Sequence, residues 1–127
     1  LIFQCSHQVS NMADVPHPAT RPASADSFKD FLTNERDMYV ASRALKAMGH
    51  PLRLKILCIL AQATEISVQD LVDRVGTSQS NISQHLSILR DKNILASRKD
   101  ANKVYYRLGD HKIVQLMETM RAAFIQT

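Results

Sequence analysis

The chain has 127 residues, 45% of them hydrophobic and 22% charged, with a formal net charge of +4. That length holds one domain with a real core and excludes two. No apolar run approaches the ~20 residues of a membrane helix, Leu1–Phe3 is too short for a secretory core, and two cysteines without paired spacing exclude a disulfide scaffold; a reduced, cytoplasmic protein is expected.

Residues 1–25 carry Pro16, Pro18 and Pro22 among Ser, Thr, Ala and Asn and hold no period, so they read as a flexible tail. Met12 offers a native start, in which case residues 1–11 are foreign to the natural protein. Residues 26–127 form the expected folded domain. A helical period begins near Asp26, with Met38, Ser42, Leu45 and Met48 on one stripe and Gly49 as its stop. Pro51 opens a second helix whose apolar set is Leu52, Ile56, Leu57, Ile59 and Leu60. Ser67 and Asp70 form a capping-box variant at the start of a third helix, which presents Val68, Leu71, Val72 and Val75 to the core and stops at Gly76. A fourth helix follows Ser78, with Ile82, Leu86 and Leu89 on a narrow stripe. The period then shortens. Ile94–Lys99 and Lys103–Leu108 read as strands joined by a turn at Asp100-Ala101-Asn102. A last helix from about Asp110 to Phe124 carries Ile113, Leu116, Met117, Met120 and Phe124 on one face. The fold class expected is therefore mainly α with a small β-hairpin: a helix-turn-helix centred on Gly76-Thr77-Ser78 followed by a wing.

Between Thr77 and Arg107 there are six basic residues and two acidic ones, while the rest of the chain balances at ten of each. All the excess positive charge lies in that stretch, the footprint of a polyanionic partner. The fourth helix adds Gln79, Ser80, Asn81, Ser83, Gln84, His85 and Ser87, short or amide-bearing side chains where solubility alone favours Lys and Glu. Gln and Asn reach adenine edges in the major groove and Ser serves several bases. The N-terminal turns of a recognition helix are the part that meets base edges. Arg98, Lys99 and Lys103 flank the hairpin turn, within reach of phosphate or minor groove. One such helix reads few base pairs. Two-fold pairing adds a second, and the stripes containing Met38 and Leu45 and containing Ile113, Met117, Met120 and Phe124 are the expected dimer contacts. The partners expected are thus duplex DNA, in the form of an inverted-repeat operator, and a second copy of the chain.

The segments Leu45–Leu57, Ser78–Arg90 and Val104–Leu108 resemble the ArsR family of winged-helix repressors, across about Ala44 to Phe124. The resemblance implies a homodimeric repressor released from its operator by an inducer. Where the arsenic branch has Cys-x-Cys, this chain has Ser67 and Gln69, which cannot replace thiolates for soft metals. Where the zinc branch has ligands on the last helix, Asp110 matches but Lys112, Ala123 and Gln126 do not. No metal and no cofactor is expected. Ile56-Leu57-Cys58-Ile59-Leu60 is similar to the branch that senses persulfide or oxidants through two cysteines. Cys58 matches the first, and the second position falls at about Ile125. Two roles stand for Cys58, a redox sensor or a small core hydrophobe. His50 reads as a cap or packing residue.

Two other classes are weighed. No phosphate loop, nucleophile elbow or zinc-hydrolase motif supports an enzyme. A winged helix can also serve as a protein-interaction module without operator specificity, which an exposed apolar patch on the fourth helix would favour.

Overall fold

The computed structural model describes residues 22–125. The chain divides into two compact units, residues 1–40 and 41–127, whereas the sequence alone puts its boundary between 25 and 26. Most of the segment read as a tail lies outside the described residues, but α1 (Pro22–Thr33) already begins four residues before Asp26. The single first helix expected from Asp26 is also two helices. Asn34 ends α1 and caps α2 (Glu35–Met48): the Asp37 N–H donates to Asn34 Oδ1 at 3.0 Å. A short polar side chain that satisfies the first free amides of a new helix interrupts the old one. Phe28, Leu32, Met38, Tyr39 and Val40 are exposed in this first unit.

The second unit contains the end of α2 and the rest of the described elements. These are α3 (Pro51–Ala61), β1 (Ile66–Ser67), α4 (Val68–Val75), α5 (Gln79–Asp91), β2 (Leu95–Asp100), β3 (Lys103–Leu108) and α6 (Lys112–Phe124). Its core is centred on Ile56, Leu57 and Leu60 of α3, Leu71 of α4, and Ile82, Leu86 and Leu89 of α5, each 1% exposed or less. Each such side chain contributes about 1.5–3 kcal/mol by burial. The i, i+4, i+7 stripe of α5 is thus spent inward, which fixes the opposite face of that helix toward solvent.

The helix ends follow their capping residues. His50 Nδ1 accepts from the Leu52 N–H at 3.1 Å, with Pro51 at the first turn. Ser67 Oγ accepts from Asp70 N–H and Ser78 Oγ from Asn81 N–H, both at 3.2 Å. Gly76 closes α4 in the left-handed region at φ 81°, where its lack of Cβ removes the penalty.

β2 and β3 pair antiparallel from Leu95↔Leu108 to Asp100↔Lys103, so the turn has only two residues, Ala101 and Asn102. The two-residue β1 was not expected. It pairs Ile66 with Tyr106 and Ser67 with Tyr105, giving a three-stranded sheet in the order β1-β3-β2. A strand this short has no legible period, and only β3 makes it a strand. Gly109 lets the chain leave β3: a Cβ there would lie 2.7 Å from the Asn93 carbonyl oxygen. The α6 helix starts two residues later than expected, because Asp110 Oδ1 accepts from the Lys112 N–H at 2.8 Å and so stands outside the helix.

Candidate nucleic-acid interface

The α5 helix follows the three-residue turn Gly76-Thr77-Ser78, and its inward stripe is buried. Successive residues turn by about 100° on a helix, so Gln79, Ser80, Ser83, Gln84 and Ser87 share a side away from Ile82, Leu86 and Leu89. Gln79, Ser80 and Gln84 are exposed and Ser83 and Ser87 half-buried. Gln79 and Ser83 line a cleft of about 420 Å³ whose other walls include Gln69 of α4 and Asn102, Lys103, Val104 and Tyr106 of the hairpin. The α5 helix and the wing therefore enclose a trough of mixed polar and apolar lining, with Val104 and Tyr106 beside Gln79 and Ser83.

Two of the residues assigned to DNA from sequence have other partners. Asn81 turns back to the helix-turn-helix loop, donating from Nδ2 to Thr77 Oγ1 at 3.1 Å. His85 faces the subunit. Its Nδ1 accepts from Arg53 Nε–H at 3.0 Å, and its ring lies 4.8 Å from that of His50, centroid to centroid. Arg53 also donates from Nη1 to the Ala47 carbonyl at 3.1 Å, so one side chain ties the end of α2, the start of α3 and the reading helix together. Burial, followed by repulsion from Arg53 and from His50, lowers the His85 pKa below its ordinary value and keeps the ring a neutral acceptor. Sequence spacing offers no sign of a bond between residues 53 and 85.

In the wing, register decides which cations are available. Partners across an antiparallel ladder share a face. Lys99 pairs with Val104 on the Tyr106 side, whereas Arg98 pairs with Tyr105 on the other. Arg98 is already engaged. It grips Glu65 through two hydrogen bonds of 2.8 Å and stands 4.7 Å over the Tyr105 ring. The Arg98 guanidinium holds the Glu65 carboxylate below its usual pKa range. Arg98 thus ties the wing to the chain just before β1, and Lys99 and Lys103, both exposed, are the cations at the tip. Glu65 is the residue that sequence reasoning missed, since 33 residues separate it from Arg98.

The expected dimer residues separate into two groups. Met117 lies in the subunit's own core and Ile113 packs against that core. Leu45, Met120 and Phe124 remain exposed, at 59%, 38% and 75%. They line an almost wholly apolar cleft of about 410 Å³ between α2 and α6, with Leu54 and Leu116. Met38 belongs to the first unit and is exposed there.

Cys58 is exposed and free, which removes the core-hydrophobe role. It lines a cleft of about 500 Å³ between α3 and α6 together with Ile125, the residue at the second cysteine position. No cluster of three or more His, Cys, Asp or Glu capable of holding a metal occurs among the described residues. At the arsenic-branch positions Ser67 is a helix cap and Gln69 donates to Asp73 Oδ1 at 3.2 Å. None of the described helices is long and apolar enough to cross a membrane.

The family model described as bacterial regulatory protein, arsR family, matches residues 50–97, the span from the start of α3 into β2. A biofilm growth-associated repressor from Agrobacterium fabrum is 39% identical over 80 residues, covering 63% of this chain and 68% of that one. The transcriptional activator HlyU from Vibrio cholerae is 37% identical over 92 residues, covering 72% and 84%. Among solved structures, HlyU from V. cholerae aligns with a TM-score of 0.65 at 36% identity over 73% of this chain and 100% of that one. The repressor BigR from Xylella fastidiosa aligns with a TM-score of 0.64 at 31% identity over 73% and 94%. The relatives are transcriptional regulators, and the trough between α5 and the hairpin is the helix-turn-helix and wing of such a protein. This chain belongs to the ArsR family of bacterial regulatory proteins and is a winged-helix, DNA-binding transcriptional regulator.

Proposed function

We propose that this regulator is a repressor that reads an inverted-repeat operator with Gln79, Ser80, Ser83 and Gln84, and holds the flanking phosphates with Lys99 and Lys103. The observation that carries the reading is the solvent-facing, amide- and hydroxyl-bearing side of α5 beside a cationic wing tip, opposite a fully buried apolar stripe. Asn81 and His85 act by holding that side in place, and Arg98 by orienting the wing. A homodimer presents two such helices to successive grooves, with Leu45, Met120 and Phe124 at the contact, because an apolar cleft of this size is costly to leave in water. It acts in the cytoplasm, where its operator is. No catalytic step is assigned to it. Selection of bound duplexes from a random pool tests the reading: an enriched inverted repeat, bound by a dimer in sedimentation with a steep salt dependence, is expected. Enrichment of no sequence would overturn it in favour of an interaction module.

A second reading concerns release. The exposed Cys58 shares a cleft with Ile125 and, among the described residues, with no second thiol, which favours a single-cysteine response over a dithiol switch. The Cys58 thiolate attacks a polysulfide, takes one sulfane sulfur as a persulfide, and leaves a polysulfide one sulfur shorter. Wild type and Cys58→Ser are compared in operator gel shifts with added polysulfide. Identical release curves would remove Cys58 as the sensor.

A further inference from the structure

A concavity lined by positive charge lies beside α5 one turn beyond Gln84, at Ile88 and Lys92. Arg43 and Lys46 on α2, Arg53 on α3 and Lys92 at the end of α5 surround a small cavity of about 130 Å³, with Ala47 and Ile88 completing its wall. None of these six lining residues is acidic. Three of the four cations come from outside the basic stretch of residues 77–107, so this concentration of charge exists only in the fold. Arg43 has a further partner of its own, and Lys46, Arg53 and Lys92, converging from three elements, raise the local potential for an anion more than the same charges spread over a surface.

The cavity also has a fixed element. Arg53 is half-buried, and its Nε and Nη1 are held by His85 and the Ala47 carbonyl. A guanidinium has five N–H donors in a rigid fork, so two used on the protein leave the others directed by the same brace. Lys46 and Lys92 supply flexible ammonium groups from two other elements. A rigid, planar donor beside mobile point charges suits the tetrahedral oxygens of a phosphate group.

We propose that the cavity of Arg43, Lys46, Arg53 and Lys92 is a second phosphate-binding site, taking either a backbone phosphate of the bound duplex or a free phosphoanion. The site goes beyond the operator reading, since it uses none of Gln79, Ser80, Ser83, Gln84, Lys99 or Lys103. Through the Arg53–His85 bond, its occupant shares a residue with the reading helix.

The test uses the full chain and the variant Lys46→Gln/Lys92→Gln, which nearly keeps the length of both side chains. Operator and scrambled duplexes are titrated across a salt series, and amide shifts of the DNA-free protein are followed during addition of inorganic phosphate at constant ionic strength. If a backbone phosphate sits here, the variant's log–log salt slope becomes shallower by about 0.9 for each phosphate no longer neutralised, equally on both duplexes. If the anion is free, phosphate shifts the amides of residues 43–53 and 88–92 in the wild type but not in the variant, and the slope is unchanged. Unchanged slopes together with no phosphate response in the wild type would overturn the proposal. Lys46→Gln alone, at an exposed position, repeats both measurements should the double variant fold poorly. Failure here differs from failure of the operator reading, because Gln84→Ala alters the preference for operator over scrambled duplex without altering the salt slope.

Discussion

Gln84→Ala separates reading from folding. Gln84 is exposed in the second turn of α5, and its side chain makes no hydrogen bond among the described residues. Alanine is the better helix former, and an exposed substitution of this kind changes stability by only about 0.5 kcal/mol in either direction. The melting temperature is therefore expected to stay in place. A bidentate amide–adenine pair discriminates by about 1–3 kcal/mol, or roughly 5- to 150-fold in affinity. Two-fold symmetry removes the pair from both half-sites, so operator preference should fall by about 2–6 kcal/mol in all if the losses add. Fluorescence anisotropy with the selected operator and a scrambled duplex, at one salt concentration, gives the ratio. Affinity for the scrambled duplex should barely move. An operator preference equal to that of the wild type, in a variant with unchanged melting temperature, would refute the assignment of Gln84 to a base edge.

Lys99→Ala should weaken operator and scrambled duplexes alike and flatten the salt slope by about 0.9 per phosphate bound, measured by the same titrations. Leu86→Ala empties a fully buried site on the inward stripe of α5 and should cost about 2–5 kcal/mol, lowering the melting temperature by roughly 10–30 °C for a unit of this size in calorimetry. His85 carries a pH dependence. Its pKa is lowered in the fold from the usual 6.5, by burial first and then by Arg53 and His50. The neutral ring is thus favoured by folding, and the stability it brings is complete above about pH 6.5 and fades as pH falls through the lowered folded value. The fall in melting temperature between about pH 7.5 and about pH 5 should be steeper in the wild type than in His85→Gln, because only the imidazole gains a proton in that range.

Local signals were legible wherever one residue acts on its own neighbourhood. Ser67, Ser78 and Gly76 set the ends of α4 and α5 through their own hydroxyls or φ angle, and each does so in the fold. The apolar stripe of α5 was readable because burial on one side imposes a period on the sequence. The break at Asn34 escaped because a polar stretch without an apolar residue between Leu32 and Met38 fits an exposed helix as well as a gap, and a single cap decides the matter. β1 escaped because two residues cannot show a period.

The sequence by itself determined the order of helices and hairpin from Pro51 onward, the inward stripe of α5 and hence which side of it faces water. It also determined that the outward residues of α5 are amides and hydroxyls, and where the excess charge lies along the chain. These follow from interactions within a few residues, or from the repeat that burial demands. Only the tertiary structure decided which of those polar and charged groups are available to a partner. Asn81 is held by Thr77, His85 by Arg53 and Arg98 by Glu65, while Cys58 emerges at a cleft rather than in the core. The physical reason is range. A hydrogen bond or ion pair between residues 32 or 33 apart depends on how packed elements bring two side chains within about 3 Å, and no spacing in a linear chain records that distance.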